Sequence, residues 1–396
     1  MKKRSMPLSR RQFLKASSAA GVSSISILKS TTAFGTRANS MLQVGLIGSG
    51  GRGTSDAKSL VGTGKAKIVA IADYFDFQLK EPAQEFQVSS SKCYSGIDAY
   101  KRILEMDEVD AVMLTTPPYF RPEQFEAAVG AGKHVFAEKP IAVDVWGCRK
   151  FMEAGKKAAQ KNLTVVAGLQ TRYAEGRQKI ADMIANGAIG EPVVAQSKRL
   201  GGDLWRRERL PNFTERDFQV RNWLYYLWAS GDFLVEMHVH NLDVINWMSG
   251  MLPVSAYGSG GRKVRTDIGD IYDHIAVHYE YPNGFHLSHT GSQISSGYSG
   301  QEAQIIGTKG TYDTQQGLIL KSKEAISQGE GLRNATDRQM EVFASSSLGE
   351  GTYTNNSEYV STSTFMCVLG RTAAYRNEKV SWKELWDSNE RIEMPV

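Results

Sequence analysis

The sequence predicts an α/β protein: a doubly wound parallel sheet in the N-terminal half, then an α+β part with antiparallel strands. Three observations predict it. A short apolar run, Leu42–Ile47, feeds directly into Gly48-Ser-Gly50-Gly51-Arg52-Gly53. Apolar runs then alternate with helical patterns as far as residue 168, as parallel strands joined by crossover helices do. Further on, residues 271–281 alternate apolar and polar positions, Pro282-Asn283-Gly284 turns the chain, and 285–293 returns, a hairpin signature. With 396 residues, 41% apolar and 22% charged, the chain can bury two cores and is not a disordered polymer.

Residues 1–40 read separately. Lys2, Lys3 and Arg4 lead into Ser9-Arg10-Arg11-Gln12-Phe13-Leu14-Lys15, and a weakly apolar Ser/Ala-rich run follows. The heptapeptide resembles the twin-arginine export pattern, and the run is too short and polar to span a membrane permanently. The expectation is a leader over 1–40 that engages twin-arginine export machinery and delivers the protein to the periplasm or otherwise out of the cytoplasm. No membrane span is expected in the mature chain. The leader holds 8 of the 47 Lys and Arg and no acid, leaving 39 bases against 42 acids. The basic balance is therefore the leader's, and no nucleic-acid partner is implied. Cys93, Cys148 and Cys367 form no CxxC and are read as buried thiols.

Leu42–Ile47 reads as a buried parallel strand. Gly48 permits a tight turn, Gly50 lets a pyrophosphate approach the backbone, and Gly53 lets the next helix, about 52–62, pack close. That helix start aims N–H groups and a positive dipole end at phosphates. The second strand, 66–73, ends in an acid 20 residues after Gly53, placed to bond the ribose hydroxyls of a dinucleotide. Gly48, Gly50, Gly51, Arg52, Gly53 and Asp73 are thus cofactor residues on a Rossmann sheet. The Asp73 carboxylate repels a 2′-phosphate, so NAD is expected over NADP. A helix at 97–106, a strand at 111–115, a helix at 123–131, a strand at 134–138, a helix at 145–160 capped by Asp144 and a strand at 163–168 complete an NAD-binding domain over 41–168. Ligands sit outside the carboxyl ends of such strands, where Thr115, Thr116, Pro117, Glu138 and Lys139 fall. Pro140 is expected to be cis, fixing the direction of Lys139.

The glycine loop, Asp73, Thr115-Thr116-Pro117-Pro118 and Glu138-Lys139-Pro140, in this order and spacing, resemble the Gfo/Idh/MocA family over about residues 41–390. The resemblance implies an NAD(P)-dependent oxidoreductase acting on sugars, cyclitols or their derivatives. It implies a C-terminal substrate-binding domain (169–396) on a large open, mainly antiparallel sheet, assembled as a homodimer or homotetramer. It also implies that Lys139 and His240 reach the reacting carbinol from the two domains.

Gly231–Trp247 reads as one helix on which Glu236, His240 and Asp243, spaced i, i+4, i+7, share a face. An acid, an imidazole and a second acid amid apolar neighbours suit proton handling and hydroxyl binding. A lone histidine there would be an ordinary core residue. The family pattern G-G-x-L-x-D-x-G-x-H-x-x-D is matched at Gly231, Leu234, His240 and Asp243, and departed from at Asp232, Glu236 and His238. On an intact helix His238 lies about 200° from its neighbours, so no metal site is expected.

Oxidising an alcohol sends a hydride to nicotinamide and a proton to a base. Lys139, His240 and Glu236 are the catalytic candidates: an ammonium to stabilise developing alkoxide, an imidazole to take the proton, a carboxylate to orient it or bind a hydroxyl. Arg172, Tyr173 and Asp243 are candidate substrate contacts, an interdomain ion pair being the other reading of Arg172. The aromatic segment 201–228 reads as a substrate wall or as core or oligomer contact. His274, His278, His286 and His289 read as surface or interface residues, 324–357 as a long loop, and 363–375 as the closing helix. The expected function is an exported NAD-dependent oxidoreductase of a ring hydroxyl on a sugar, glycoside or cyclitol. Its nucleotide is held tightly, because free NAD is scarce outside the cytoplasm. The alternative is an NAD-dependent glycosidase working by transient oxidation, elimination, hydration and reduction.

Overall fold

A computed structural model describes residues 41–395 apart from 296, 321, 323, 324 and 330–333. The leader expected at 1–40 lies outside the described residues, as does part of the loop expected at 324–357. Residues 41–396 form one compact unit.

The N-terminal sheet holds six strands: β1 (Leu42–Ile47), β2 (Ala66–Asp73), β3 (Cys93–Ser95), β4 (Ala111–Leu114), β5 (His134–Ala137) and β6 (Val165–Ala167). They run parallel in the order β3-β2-β1-β4-β5-β6. The order reverses between β1 and β4, so a ligand crevice opens there, at the glycine loop and Thr115–Pro117. The strands are nearly continuous apolar runs because helices cover both faces. On one face Phe125 and Phe151 stack with ring centroids 3.9 Å apart. The helix Val145–Gln160 starts as expected, with Asp144 Oδ1 accepting from the Gly147 N–H.

The second sheet has nine strands: β7 (Pro192–Gly201), β8 (Ser255–Gly261), β9 (His274–Glu280), β10 (His286–Gln293), β11 (Gly300–Gly307), β12 (Gly310–Asp313), β13 (Gly317–Leu320), β14 (Ala325–Ile326) and β15 (Val380–Ser381). All its pairings are antiparallel except β10 with β7. In the hairpin, Ile275, Val277, Tyr279 and Tyr281 face inward, as their alternation required.

Two helices depart from the sequence reading. Ala335–Leu348 is helical where a loop was expected. Its anchors Met340, Phe343 and Ala344 recur at i, i+3, i+4 and pack on the N-terminal domain's core, but the Ser345-Ser346-Ser347 run masks that period. The closing helix runs Ser357–Arg376 and is buried on nearly every side. Its first turns are Ser- and Thr-rich, a poor helix signal in water that burial between the domains overrides. It packs against β8, β9 and the helix Val145–Gln160, forming the layer between the sheets. No helix among the described residues is long and apolar enough to cross a membrane.

Candidate active site

The glycine loop has the shape a pyrophosphate needs. Gly48 has φ +95°, and a Cβ there would lie 2.5 Å from the Thr116 nitrogen. A Cβ on Gly53 would lie 2.0 Å from the Gly48 carbonyl oxygen, whereas Gly50 and Gly51 face open space. The helix Gly51–Gly62 begins with no side-chain cap, so its first N–H groups remain for an anion. Asp73 closes the other side: its carboxylate accepts from the Ser49 and Phe75 N–H groups at 2.7 and 3.1 Å. Burial pushes the Asp73 carboxyl up, against those hydrogen bonds. These groups fit NAD.

Not every expected cofactor residue faces the crevice. Thr115 donates its hydroxyl to the Ile47 and Gly48 carbonyls, and Thr116 donates to Gln124 Oε1 at 2.6 Å. They fix the loop's shape and leave only backbone toward a ligand. Glu138 is buried: Oε1 accepts from Arg52 and Oε2 from the Lys139 N–H. Arg52 also meets buried Asp56 at 3.1 Å. Glu138 therefore ties the glycine-loop helix to the Lys139 turn. Burial, with Glu138 nearby, pushes the Asp56 carboxyl up to about 9. Arg121, unnoticed in the sequence, is buried and donates to the Glu138 and Pro140 carbonyls, and burial pushes its guanidinium down to about 10. The Lys139–Pro140 peptide is cis.

The turn presents Lys139 to the second domain. Its Nζ donates to Glu236 Oε1 and to the Glu236 carbonyl, each at 2.8 Å. Both side chains are largely sealed, 13% and 9% exposed. Glu236 Oε2 and His240 Nδ1 are buried without a hydrogen-bond partner. The imidazole is held well below its usual value, first by burial, then by the charges of Lys139, Arg199 and Arg52. These surroundings favour the neutral imidazole and make it a weaker base than a free one.

The helix expected over 231–247 is broken. Phe233–Glu236 makes one turn, Met237 and His238 step out, and Val239–Ser249 resumes. Asp232, where the family pattern has glycine, takes φ +87°. Its carboxylate holds that conformation by accepting from the Leu234 N–H and the Tyr375 hydroxyl at 2.8 and 2.7 Å. His238 turns toward the sheet, where Nδ1 meets His289 Nε2 at 2.9 Å and His289 Nδ1 meets Ser197 Oγ at 3.0 Å. His289 is thus buried, not the surface residue its strand position suggested; His274, His278 and His286 are partly exposed. The intact helix invoked against a metal site does not exist. Among the described residues no three His, Cys, Asp or Glu groups are placed to hold a metal.

The expected substrate residues mostly bond one another. Arg172 makes a forked pair with Asp243, Nε–Oδ2 2.9 Å and Nη2–Oδ1 2.8 Å. Ser363 donates to the same carboxylate, and Tyr359 lies 4.0 Å beneath the guanidinium. This ion pair lies within the second domain, not between the two domains, and it leaves Asp243 fully buried. Tyr173 donates to Asn356 Oδ1 at 2.7 Å, and burial pushes its phenol up to about 12. The cleft that does open beside His240 is about 290 Å³, lined by Gln170, Arg177, Arg199, Asn241 and Gln301 among others. Trp205, Trp223 and Trp228 do not line it. Trp228 packs on Tyr119, and Phe213 stacks on Phe75, so segment 201–228 covers the nucleotide domain. Sequence patterning missed Arg199: an arginine on a strand has no spacing that separates a ligand from a surface charge.

Residues 42–167 match the family described as "Oxidoreductase family, NAD-binding Rossmann fold", and residues 177–313 match the "GFO/IDH/MocA C-terminal domain". The chain belongs to the Gfo/Idh/MocA oxidoreductase family. Its N-terminal domain is the family's NAD-binding Rossmann domain. Among relatives, the chain is 25% identical over 275 residues to myo-inositol 2-dehydrogenase of Thermotoga maritima, covering 68% of this chain and 74% of that one. It is 28% identical over 246 residues to 2,7-anhydro-N-acetylneuraminate hydratase of Escherichia coli, covering 62% and 60%. In three dimensions it resembles scyllo-inositol dehydrogenase of Lactobacillus casei, solved with NAD(H) and scyllo-inositol, at a TM-score of 0.68 and 20% identity over 87% of this chain and 99% of that one. That likeness shows the shared fold.

Proposed function

We propose that this protein oxidises a ring hydroxyl of a sugar, glycoside or cyclitol, and that it works outside the cytoplasm. The observation that carries the chemistry is the Lys139–Glu236 contact at 2.8 Å between the two domains, beside an imidazole whose Nδ1 has no partner. NAD, when bound, supplies the hydride acceptor. Lys139 stabilises the negative charge that develops on the substrate oxygen. His240, kept neutral by its surroundings, takes the hydroxyl proton. Glu236 holds the ammonium by one oxygen and offers the other, Oε2, to a neighbouring hydroxyl. Relatives named as inositol dehydrogenases support the substrate class. Export rests on the twin-arginine pattern at residues 9–15, and self-assembly on the open second sheet.

A second reading is redox-neutral: a transient ring ketone acidifies the adjacent C–H, a leaving group departs, water adds, and the ketone is reduced again. The relative named as a hydratase favours it. A panel of sugars, cyclitols and glycosides separates the two. Oxidation leaves a keto product and reduced nicotinamide; the neutral route releases aglycone with neither. Lys139→Ala and His240→Ala are each expected to lower turnover at least about 10²-fold. Near-wild-type turnover in either would overturn the assignment.

A further inference from the structure

The cleft beside His240 carries a charge that hydride transfer does not use. Arg199 lies on β7, on the inward face it shares with Ala195 and Ser197, as alternation requires. Among the described residues its guanidinium has no hydrogen bond or ion pair. The carboxylate it feels most is Glu236, which is already bonded to Lys139. Other inward arginines are satisfied: Arg172 on Asp243, Arg52 on Glu138, Arg371 on the Val143 and Gly231 carbonyls. Arg177, on the same cleft, donates to the Gln328 amide oxygen at 3.1 Å and meets no carboxylate among the described residues. Among the described residues no Asp or Glu lines the cleft. A half-buried cation without a partner is costly unless an anion meets it, and guanidinium pairs with carboxylate through two parallel hydrogen bonds.

The other orphan groups nearby define the rest of the ligand. Gln170 Oε1 and His240 Nδ1, both on the cleft lining, are buried without partners among the described residues, and each can accept a hydrogen bond from a hydroxyl. We propose that the substrate is an acidic sugar or cyclitol, such as a hexuronate or its glycoside, with its carboxylate on Arg199 and its ring hydroxyls on Gln170 and His240. This rests on the ring-hydroxyl reading above and narrows it to a substrate class. The arrangement also couples binding to chemistry. The Arg199 charge helps hold the His240 imidazole down, after burial and Lys139. A carboxylate on Arg199 offsets that charge and raises the imidazole's proton affinity once substrate is in place.

The test is calorimetric titration of the full NAD-loaded chain with D-glucuronate, D-glucose and D-glucose 6-phosphate. Wild type, Arg199→Lys and Arg199→Gln are compared, and nicotinamide reduction is followed in the same mixtures. Wild type is expected to bind glucuronate at least tenfold more tightly than glucose. Arg199→Gln is expected to erase that preference, and Arg199→Lys to keep part of it. Tighter binding of glucose or of the phosphate, or a preference unchanged in Arg199→Gln, overturns the proposal. The wild-type preference alone decides if Arg199→Gln does not fold. Oxidation of neutral sugars without a glucuronate preference overturns this inference and leaves the ring-hydroxyl reading standing. Glucuronate binding through Arg199 with no sugar oxidised does the reverse.

Discussion

Asp73 is small but placed where it would decide which nucleotide the protein can hold. It is anchored by the Ser49 and Phe75 N–H groups, so it cannot swing away from an incoming group. Arg52, the one cation of the loop, is bonded to Glu138 and Asp56. A 2′-phosphate would meet a fixed carboxyl and no free guanidinium. Titrating the nucleotide-free protein should give NADPH binding at least about tenfold weaker than NADH, some 1.4 kcal/mol. Equal affinities would mean that Asp73 faces elsewhere when nucleotide is bound. Asp73 was legible in the sequence because its role depends on chain distance from the glycines. Arg172 and Asp243 were legible as polar groups near the site, but their mutual pairing was not. Residues 71 apart in the chain meet only through the packing of Ser363 and Tyr359 from a third element.

At the scale of elements, the break at Met237–His238 changes what the second polar cluster does. A 3.6-residue period gave the shared face of Glu236 and His240, yet a period cannot show where a helix steps out. His238 fits only because residue 291 is glycine: a Cβ there would lie 2.2 Å from His238 Cε1. Gly291→Ala should therefore destabilise the protein measurably in thermal melts, and adding His238→Gly should restore most of the loss. Additive losses in the double variant would separate the two positions. The buried His238–His289 pair also predicts acid sensitivity. Burial holds His238 well below its usual value and pushes His289 down to about 3. In the unfolded chain both take protons near pH 6.5. The unfolded state thus binds more protons between those values, and stability is lost as pH falls below about 6.5, by up to about 1.4 kcal/mol per pH unit for each group. Melting temperature should drop from pH 7 to pH 5, and drop less in His238→Leu/His289→Leu. An equal slope in both proteins would show that other groups carry the acid response.

The whole molecule stacks two sheets around one buried helix, Ser357–Arg376, of which the sequence showed 363–375 but not the first turns. Its Ser361, Ser363 and Thr364 are buried, so the helix lacks the polar stripe that marks an amphipathic surface element. The parallel sheet was legible because its strands other than the edge strand β3, Cys93–Ser95, are self-contained apolar runs; β3 is not, and the sequence did not show it. The same stacking brings segment 201–228 of the second half over the nucleotide crevice. Phe213 stacks on Phe75 with centroids 5.1 Å apart, and the Tyr74 hydroxyl donates to Asp217 at 2.9 Å, both just past Asp73. Trp228 meets Tyr119, just past the Thr115–Pro118 turn, at 5.1 Å. The segment therefore joins both lips of the crevice, where it is placed to slow nucleotide release. Under the proposed export, where free NAD is scarce, the enzyme would need such retention. Protein purified without added nucleotide should carry bound NAD through gel filtration, detected by its absorbance after acid release. Phe213→Ala/Trp228→Ala should lose most of it while keeping its far-ultraviolet circular dichroism. Full retention by that variant would place the hold at the glycine loop alone, and wild type emerging empty would refute retention itself.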